Sequence, residues 1–578
     1  MNRRYLLLEL PEGLSSWQKI LPYALLLSIT FALYGMTLYF GFVWDDWAYI
    51  VKNYRIQNLN WQRLKEIWSH TYLGHYAPVQ HSFLAIVYHF FGRSPWWFHL
   101  GQVLIHAACV CLVYAVVRKI ESPRIAFLAT IAFAAHPTNI ETVAWISENK
   151  STLAYLFFLL SFWFFIRLRE RGRWTDGVFA GLFLILSVLS KINTVVAPPI
   201  FLLYDYRQGM TWKNLRWRSL GGFFLISGVF TAVHLNSFHH TSGAMESAYY
   251  GGVGVHIMNL PLLLAFYLQM IVFPYSLSAW EMFPAQMQFT WLIALGWAGL
   301  ASLAFLLIRS DRKTQFWALW IVLFLLPVLQ IVPFPIWVAD RYLYVPLIGG
   351  LVLISQFFFW AADQVRQPGR RWALESVMLI LLAVLGWRTA QHVPVWKNDF
   401  TLWRATLPTC SMAAYCHMSM GASLIEAGYI DLGIPELIRG VEIRKTPRNW
   451  EILGDAYSFA GQDRMALSAY LTSQEGAPMS PTTEIYGKLA RVYYSLGSLE
   501  NAKLAVELGK KINPSDPGLW VADAFVQWKE GNQEQTRRSL NAAFRIIGRN
   551  SPSLLTQLLW KPEEVGNMLA DLGASNPQ

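Results

Sequence analysis

The sequence predicts an all-α protein built in two parts, a polytopic membrane bundle of about eleven spans followed by a solenoid of helical repeats. Three observations carry that prediction. Hydrophobic residues make up 54% of the 578 positions and charged residues 14%, with a mean hydropathy of +0.32, more apolar surface than a water-soluble core can hide. Apolar runs of membrane-crossing length recur between residues 21 and 391 and then cease. Beyond Val393, small and aromatic residues return at a regular spacing instead. The expected division is a membrane domain over 1–392 and a repeat domain over 393–578.

The apolar runs lie near 21–41, 97–117, 124–137, 150–166, 174–190, 192–206, 219–235, 289–308, 314–332, 342–361 and 373–391. The first follows Arg3, Arg4 and Lys19 without a small-residue cleavage pattern, so it reads as an uncleaved span. Lys and Arg then cluster in every second loop, beginning with Arg118, Lys119 and Arg124 and with Arg167, Arg169, Arg171 and Arg173. The alternation continues through Arg207, Lys213, Arg216 and Arg218, then Arg309, Arg312 and Lys313, then Arg366, Arg370 and Arg371. Cytoplasmic loops carry such an excess, which puts the N-terminus in the cytoplasm. The net charge of +11 therefore orients the chain in a bilayer and does not mark a nucleic-acid partner.

Between Arg218 and Arg309 there is no Lys or Arg, so 256–273, although apolar, is expected to lie at the outer surface as a re-entrant or interfacial helix. The run 79–91 is broken by Gln80, His81, Tyr88 and His89 and is too short to cross. An odd number of spans carries the C-terminal domain to the outer side of the cell (inner) membrane.

In that domain Trp450, Leu453, Gly454, Tyr457, Ala466, Tyr470 and Pro478 stand at tetratricopeptide spacings. The pattern returns at Tyr486, Leu489, Ala490, Tyr493, Ala502, Val506 and Pro514, and more loosely at Trp520, Ala524 and Leu540. A degenerate earlier copy starts near His417 with Met420, Gly421 and Leu424. Stacked helix pairs of this kind present a concave groove suited to a protein or peptide, though a spacer or dimerisation surface would use the same residues. Cys109 and Cys111 fall within a span, whereas Cys410 and Cys416 read as two small buried side chains, a bridge being the alternative in an oxidising compartment.

The candidate chemistry lies on the expected outer side. Asp45 and Asp46 follow the first span directly, where adjacent carboxylates are costly to desolvate and so point to catalysis or a metal. A helix cap flanked by Trp44 and Trp47 in the headgroups is the plainer reading. The same side holds His75 and Tyr76, then His136, Glu141, Ser147, Glu148, Asn149 and Lys150, then Lys191. His239, His240, Glu246, Glu281, Asp340, Arg341, Tyr342 and Tyr344 complete the set. With no HExxH, CxxC or Gly-rich phosphate loop, neither a zinc hydrolase nor an ATP-driven transporter is indicated.

Four stretches in order resemble the GT-C superfamily of glycosyltransferases, in particular bacterial relatives of the tetratricopeptide-bearing transmembrane O-mannosyltransferases. They are Trp44-Asp45-Asp46, the run from His136-Pro137 through Glu141 to Ser147, Ala339-Asp340-Arg341-Tyr342-Leu343-Tyr344-Val345-Pro346, and Val395-Trp396-Lys397-Asn398. One departure is Ser147-Glu148-Asn149-Lys150, where the family usually has a positive residue and glycine.

The resemblance implies transfer of a sugar from a polyprenyl-phosphate-linked donor to an acceptor, a protein hydroxyl first. A lipid or surface polysaccharide acceptor, or a non-enzymatic scaffold for envelope glycan assembly, are the rival readings. It implies Asp45 or Asp46 as the base and Arg341, with Lys150 or Lys191, as the phosphate clamp. His75, Tyr76, His136, Glu141, Glu281, Asp340 and Tyr342 would line the substrate pocket. The resemblance implies no definite cofactor; a divalent cation, Mg or Mn, on the adjacent carboxylates Asp45 and Asp46 is the alternative, two carboxylates alone making an incomplete site.

Overall fold

Proline sets the start of many of the helices, because its missing N–H and fixed φ suit the first helical turn. The computed structural model describes residues 16–241, 252–331, 336–476, 483–547, 560 and 562–572, and every regular element among them is helical apart from two isolated bridges. The chain is all-α and divides into two compact units, Met1–Thr409 and Cys410–Gln578.

The first unit holds α1 (Ser16–Tyr34), α2 (Tyr54–Gln57), α3 (Trp61–Ser69), α4 (Pro78–Phe91), α5 (Pro95–Ile120), α6 (Pro123–Ala135), α7 (Ile140–Ala144), α8 (Asn149–Arg171) and α9 (Trp174–Ser190). It continues with α10 (Ala197–Arg207), α11 (Trp217–Thr241), α12 (Gly252–Val272), α13 (Trp291–Arg309), α14 (Arg312–Leu325), α15 (Pro346–Gln364), α16 (Pro368–His392) and α17 (Asp399–Thr406). Helix α8 packs on α5 and α9, and α15 packs on α6 and α14. Gly349 makes the second contact possible, since a Cβ there would lie 2.7 Å from the Trp317 carbonyl. Phe158, Phe162, Phe201, Trp320 and Phe324 fill the centre with stacked and edge-on rings.

Among the described residues seven helical stretches are long and apolar enough to cross a membrane: Lys19–Tyr39, Pro95–Ile120, Ile146–Arg171, Gly252–Val272, Trp291–Arg309, Pro346–Gln364 and Pro368–Lys397. Several expected spans are shorter helices, α6 of 13 residues, α10 of 11 and α14 of 14. A 13-residue helix rises about 20 Å, against about 30 Å of hydrocarbon. The basic loops gather at one end of the bundle, tied by Arg124–Asp363 at 2.7 Å, Lys119–Glu170 at 2.7 Å, Arg169–Asp205 at 2.7 Å and Arg207–Glu121 at 2.7 Å. Helices α6 and α10 both reach that end, through Arg124 and Arg207, so their shortness is taken entirely from the opposite end. At that opposite end the chain continues in short 3-10 turns, Pro137–Asn139 after α6 and Ile192–Val196 before α10.

Helix α12 has the length to cross, and each of its ends meets a loop segment. His256 stacks on Trp337 at 4.3 Å, and the Ile271 carbonyl bonds His136 Nε2 at 3.1 Å.

The boundary expected at 392/393 lies instead at 409/410. The intervening segment belongs to the bundle because Lys397 and Asp399 bond back to Gly41 and Trp44, and Trp396 packs on Trp145.

The second unit stacks antiparallel pairs α18 (Ala414–Glu426) with α19 (Ile430–Ile443), α20 (Pro447–Phe459) with α21 (Asp463–Glu475), α22 (Thr483–Ser495) with α23 (Leu499–Ile512), and α24 (Pro517–Lys529) with α25 (Gln533–Ile547), before α26 (Pro562–Asp571). The first pair is the degenerate copy. Gly454 shows why the repeat needs a small residue: a Cβ there would stand 2.5 Å from the buried Tyr470 ring. Cys410 and Cys416 are bonded as a disulfide, against the expectation of two independent thiols, because the turn before α18 brings their Cα atoms to 6.2 Å. Pro478 and Glu246 lie outside the described residues, as do the side chains of His239 and His240.

Candidate functional site

Four segments come together at the end of the bundle opposite the basic loops: the turn after α1, the stretch from His136 to Lys150, the Lys191 turn, and the short helical turn Asp340–Tyr342. Buried amides on neighbouring helices hold the second of them. Gln80 of α4 donates to the Ser147 carbonyl and to Asn149 Oδ1, each at 2.9 Å, and Gln102 of α5 donates to the Thr142 carbonyl at 2.5 Å.

Asp45 and Asp46 differ sharply in surroundings. Asp46 is fully buried; its Oδ1 accepts from Ser147 N–H at 2.8 Å and Ser147 Oγ at 2.5 Å, and its Oδ2 accepts from Val43 N–H at 3.1 Å. Burial pushes its pKa up to about 7 against the pull of those hydrogen bonds. Asp45 is half-buried, and its carboxylate accepts no hydrogen bond from a described residue. Burial raises its pKa, while Lys150 and Arg341 pull it back down. Asp46 ties the loop down, and Asp45 is the carboxylate left free to take a proton.

The cations beside Asp45 converge on one residue. Glu148, 1% exposed, lies 3.3 Å from Lys150 Nζ, 3.2 Å from Lys191 Nζ and 3.8 Å from Arg341 Nε. Ser151 Oγ donates to Glu148 and accepts from Lys191 Nζ at 2.7 Å. Arg341, 5% exposed, is anchored by Glu141, which takes the Arg341 backbone N–H at 2.8 Å and pairs with its guanidinium. Burial alone would lower the Arg341 pKa, but Glu141, Tyr342 and Glu148 more than offset it, and the group stays charged. Burial lowers Lys191 to about 8, with Lys150 and Arg341 adding to the effect and Glu148 opposing it.

Aromatic faces wall the cluster. The Arg341 guanidinium sits 5.6 Å from the Trp145 ring and 5.1 Å from Tyr342, and Lys150 Nζ sits 5.2 Å from Tyr49. Trp145 itself stacks on Trp44 at 4.3 Å.

The structure thus brings together Asp45, Asp46, Glu141, Lys150, Lys191, Arg341 and Tyr342. His75 is at the exposed rim, within the field of Lys150 and Lys191. Other residues expected in the pocket are engaged elsewhere. Tyr76 donates to the Trp68 carbonyl at 2.9 Å. His136 is fully buried with both ring nitrogens bonded, Nδ1 to Thr138 Oγ1 at 2.8 Å and Nε2 to Ile271, so it clamps α6 to α12. Glu281 accepts from Ser276 at 2.5 Å and pairs through its backbone with Val338. Asp340 is buried; burial first, then Glu141 and Glu281, push its pKa up, against the pull of Arg341.

Glu148, the centre of the cluster, reads in the sequence only as one polar residue of an outer loop. The available signal is its place two residues before Lys150 at the mouth of an apolar helix.

For a divalent cation the fit is incomplete. Both Asp46 oxygens are taken by N–H and O–H donors, and among the described residues no group of three His, Cys, Asp or Glu side chains converges. A cation on Asp45 would draw its remaining ligands from substrate and water. Chemically, two buried cations and half-buried Lys191 around one carboxylate can receive a phosphate, and a free carboxylate beside them can deprotonate a hydroxyl.

A family model described as dolichyl-phosphate-mannose-protein mannosyltransferase matches residues 75–234, which include Glu141, Glu148, Lys150 and Lys191. Protein O-mannosyl-transferase Tmtc2 of Drosophila melanogaster is 32% identical over 203 residues, 32% of this chain and 21% of the fly protein. Protein O-mannosyl-transferase TMTC4 of Mus musculus is 25% identical over 471 residues, 67% of this chain and 62% of the mouse protein. The human TMTC4 is 24% identical over 475 residues, covering 67% and 61%. The chain therefore spans less than two thirds of the length of each of these proteins. On these matches and its two-part helical architecture, the chain is a relative of the repeat-bearing transmembrane O-mannosyltransferases.

Proposed function

We propose that this chain is a membrane glycosyltransferase that moves a sugar from a polyprenyl-phosphate carrier to a protein hydroxyl, the sugar being mannose as in the names of its relatives. The observation that carries the reading is a free carboxylate, Asp45, beside Arg341, Lys150 and Lys191 massed around buried Glu148 at one end of an apolar bundle.

The donor phosphate shares those cations with Glu148, whose carboxylate balances them until phosphate oxygens arrive. Asp45 takes the proton from the acceptor hydroxyl as its oxygen bonds to the anomeric carbon. The bond from that carbon to the phosphate oxygen breaks, and its electron pair stays on the polyprenyl phosphate. The phosphate gains a negative charge as it leaves, and the cations stabilise that charge most in the transition state. A single displacement inverts the anomeric centre. The aromatic walls exclude water, which strengthens each electrostatic contact.

The basic loops at the opposite end support a cytoplasmic placement of that end and an outer placement of the charge cluster. The Cys410–Cys416 bond fits an oxidising compartment for the repeats. The repeats then offer their groove to the acceptor polypeptide.

The test is reconstitution of the full chain in liposomes with polyprenyl-phosphate-linked or nucleotide-linked radiolabelled mannose and an extract of outer-side proteins. Label should reach protein from the lipid donor and be released by alkaline elimination. Transfer from the nucleotide sugar alone, or from the lipid donor to lipid alone, would overturn the reading.

A further inference from the structure

Asp399 stands outside the charge cluster, yet it grips the loop that carries Asp45. It opens α17, in the segment that follows the last long helix of the bundle. Its Oδ1 accepts the Trp44 backbone N–H at 2.7 Å, and its Oδ2 accepts the Trp47 indole N–H at 2.7 Å. The same segment bonds the loop once more, the Lys397 carbonyl accepting Gly41 N–H at 3.0 Å.

The conformation held there is an unusual one. Trp44 has φ 54, in the left-handed region that a bulky side chain leaves unless its surroundings over-determine it. Stacking on Trp145 and an edge contact with Trp403 at 5.5 Å fix its ring, and Asp399 fixes its backbone. Asp45 is the next residue, so the Trp44 dihedrals decide where its carboxylate points. Asp46 is anchored separately by Ser147 and Val43, which leaves Trp44 as the hinge on the near side of Asp45.

We propose that Asp399 is a positioning residue for transfer, holding Trp44 in its left-handed conformation so that the Asp45 carboxylate is aimed at the acceptor hydroxyl beside Arg341 and Lys150. This rests on the reading of Asp45 as the base. Asp399 touches neither substrate nor the cations, so its loss leaves the phosphate clamp intact.

The experiment compares Asp399→Asn, Asp45→Asn and Arg404→Ala, the last on the exposed side of the same helix. Rates are normalised to the number of donor-binding sites, so that a smaller folded fraction does not count as a slower enzyme. Asparagine keeps the shape and one acceptor but turns an amide donor toward a second donor. We expect Asp399→Asn to lower kcat on a peptide acceptor by about tenfold to a hundredfold, the scale of a roughly 1 Å misplacement, with donor KM within about twofold. Arg404→Ala should match the wild type. Azide, which has no proton to give up, should form the glycosyl azide at the wild-type rate in Asp399→Asn, because only base catalysis is impaired.

If Asp399→Asn transfers as fast per site as Arg404→Ala, or slows azide and peptide equally, the positioning role is overturned while the function stands. If Asp45→Asn itself transfers normally, the reading beneath it falls instead.

Discussion

Replacing Asp45 and Asp46 one at a time by asparagine separates chemistry from architecture. Asp46 accepts three hydrogen bonds, at 2.8, 2.5 and 3.1 Å, inside a fully buried site. An asparagine can satisfy the Ser147 donors or the Val43 donor with its single oxygen, and its amide then faces a donor. The unsatisfied group costs about 1–3 kcal/mol. Asp45 accepts none from described residues and is half-buried, so Asp45→Asn should change stability by no more than about 0.5 kcal/mol. Loss of a general base should nevertheless lower kcat by about 10²–10⁴, or roughly 2.7–5.4 kcal/mol of barrier. The assay pairs sugar transfer from the lipid donor to peptide with thermal unfolding in detergent. Asp45→Asn should be stable and nearly inactive; Asp46→Asn should unfold earlier and keep kcat within about tenfold of wild type, since the loop it anchors shifts only partly. An Asp45→Asn protein that transfers within about threefold of wild type refutes the assignment, as does an Asp46→Asn protein that is stable but the less active of the two.

Three further outcomes follow from the same geometry. Lys191, with its pKa lowered to about 8, is charged below that pH and neutral above it, so donor KM should rise as pH passes 8; Lys191→Arg should remove that rise in a KM–pH profile. Glu148→Gln leaves Lys150, Lys191 and Arg341 around a neutral amide, which should cost about 3–5 kcal/mol of stability; inorganic phosphate should restore part of it in a thermal-shift measurement, and a variant indifferent to phosphate would count against the clamp. Gly454→Ala drives a methyl into Tyr470, whose hydroxyl is tied to Asp455 at 2.7 Å, and should weaken the repeat unit by about 1–3 kcal/mol, read as faster proteolysis within α20–α21 of the full chain at unchanged cleavage elsewhere.

The apolar runs, the alternating basic loops and the repeat spacing already dictate two helical units, because hydrophobic length, loop charge and small-residue period are properties of contiguous sequence. The lengths of α6 and α10 are less legible, since the apolar run 124–137 passes the point where His136 ends α6, and the run 192–206 opens with a 3-10 turn, Ile192–Val196, before α10 begins.

At the site, sequence supplies the inventory of charged residues on one expected side, and Asp45, Lys150, Lys191 and Arg341 come from it. Tertiary structure alone decides which of them share a charge environment. Glu148 becomes central because Lys191 and Arg341 from separate segments join its near neighbour Lys150 on it, His136 becomes a clamp because Ile271 accepts its second nitrogen, and Asp399 matters because α17 folds back 355 residues to Trp44. The physical reason is range. Hydrophobic periodicity is read along the chain, whereas a hydrogen bond or a buried ion pair acts over a few ångströms between residues whose separation in sequence carries no energy of its own.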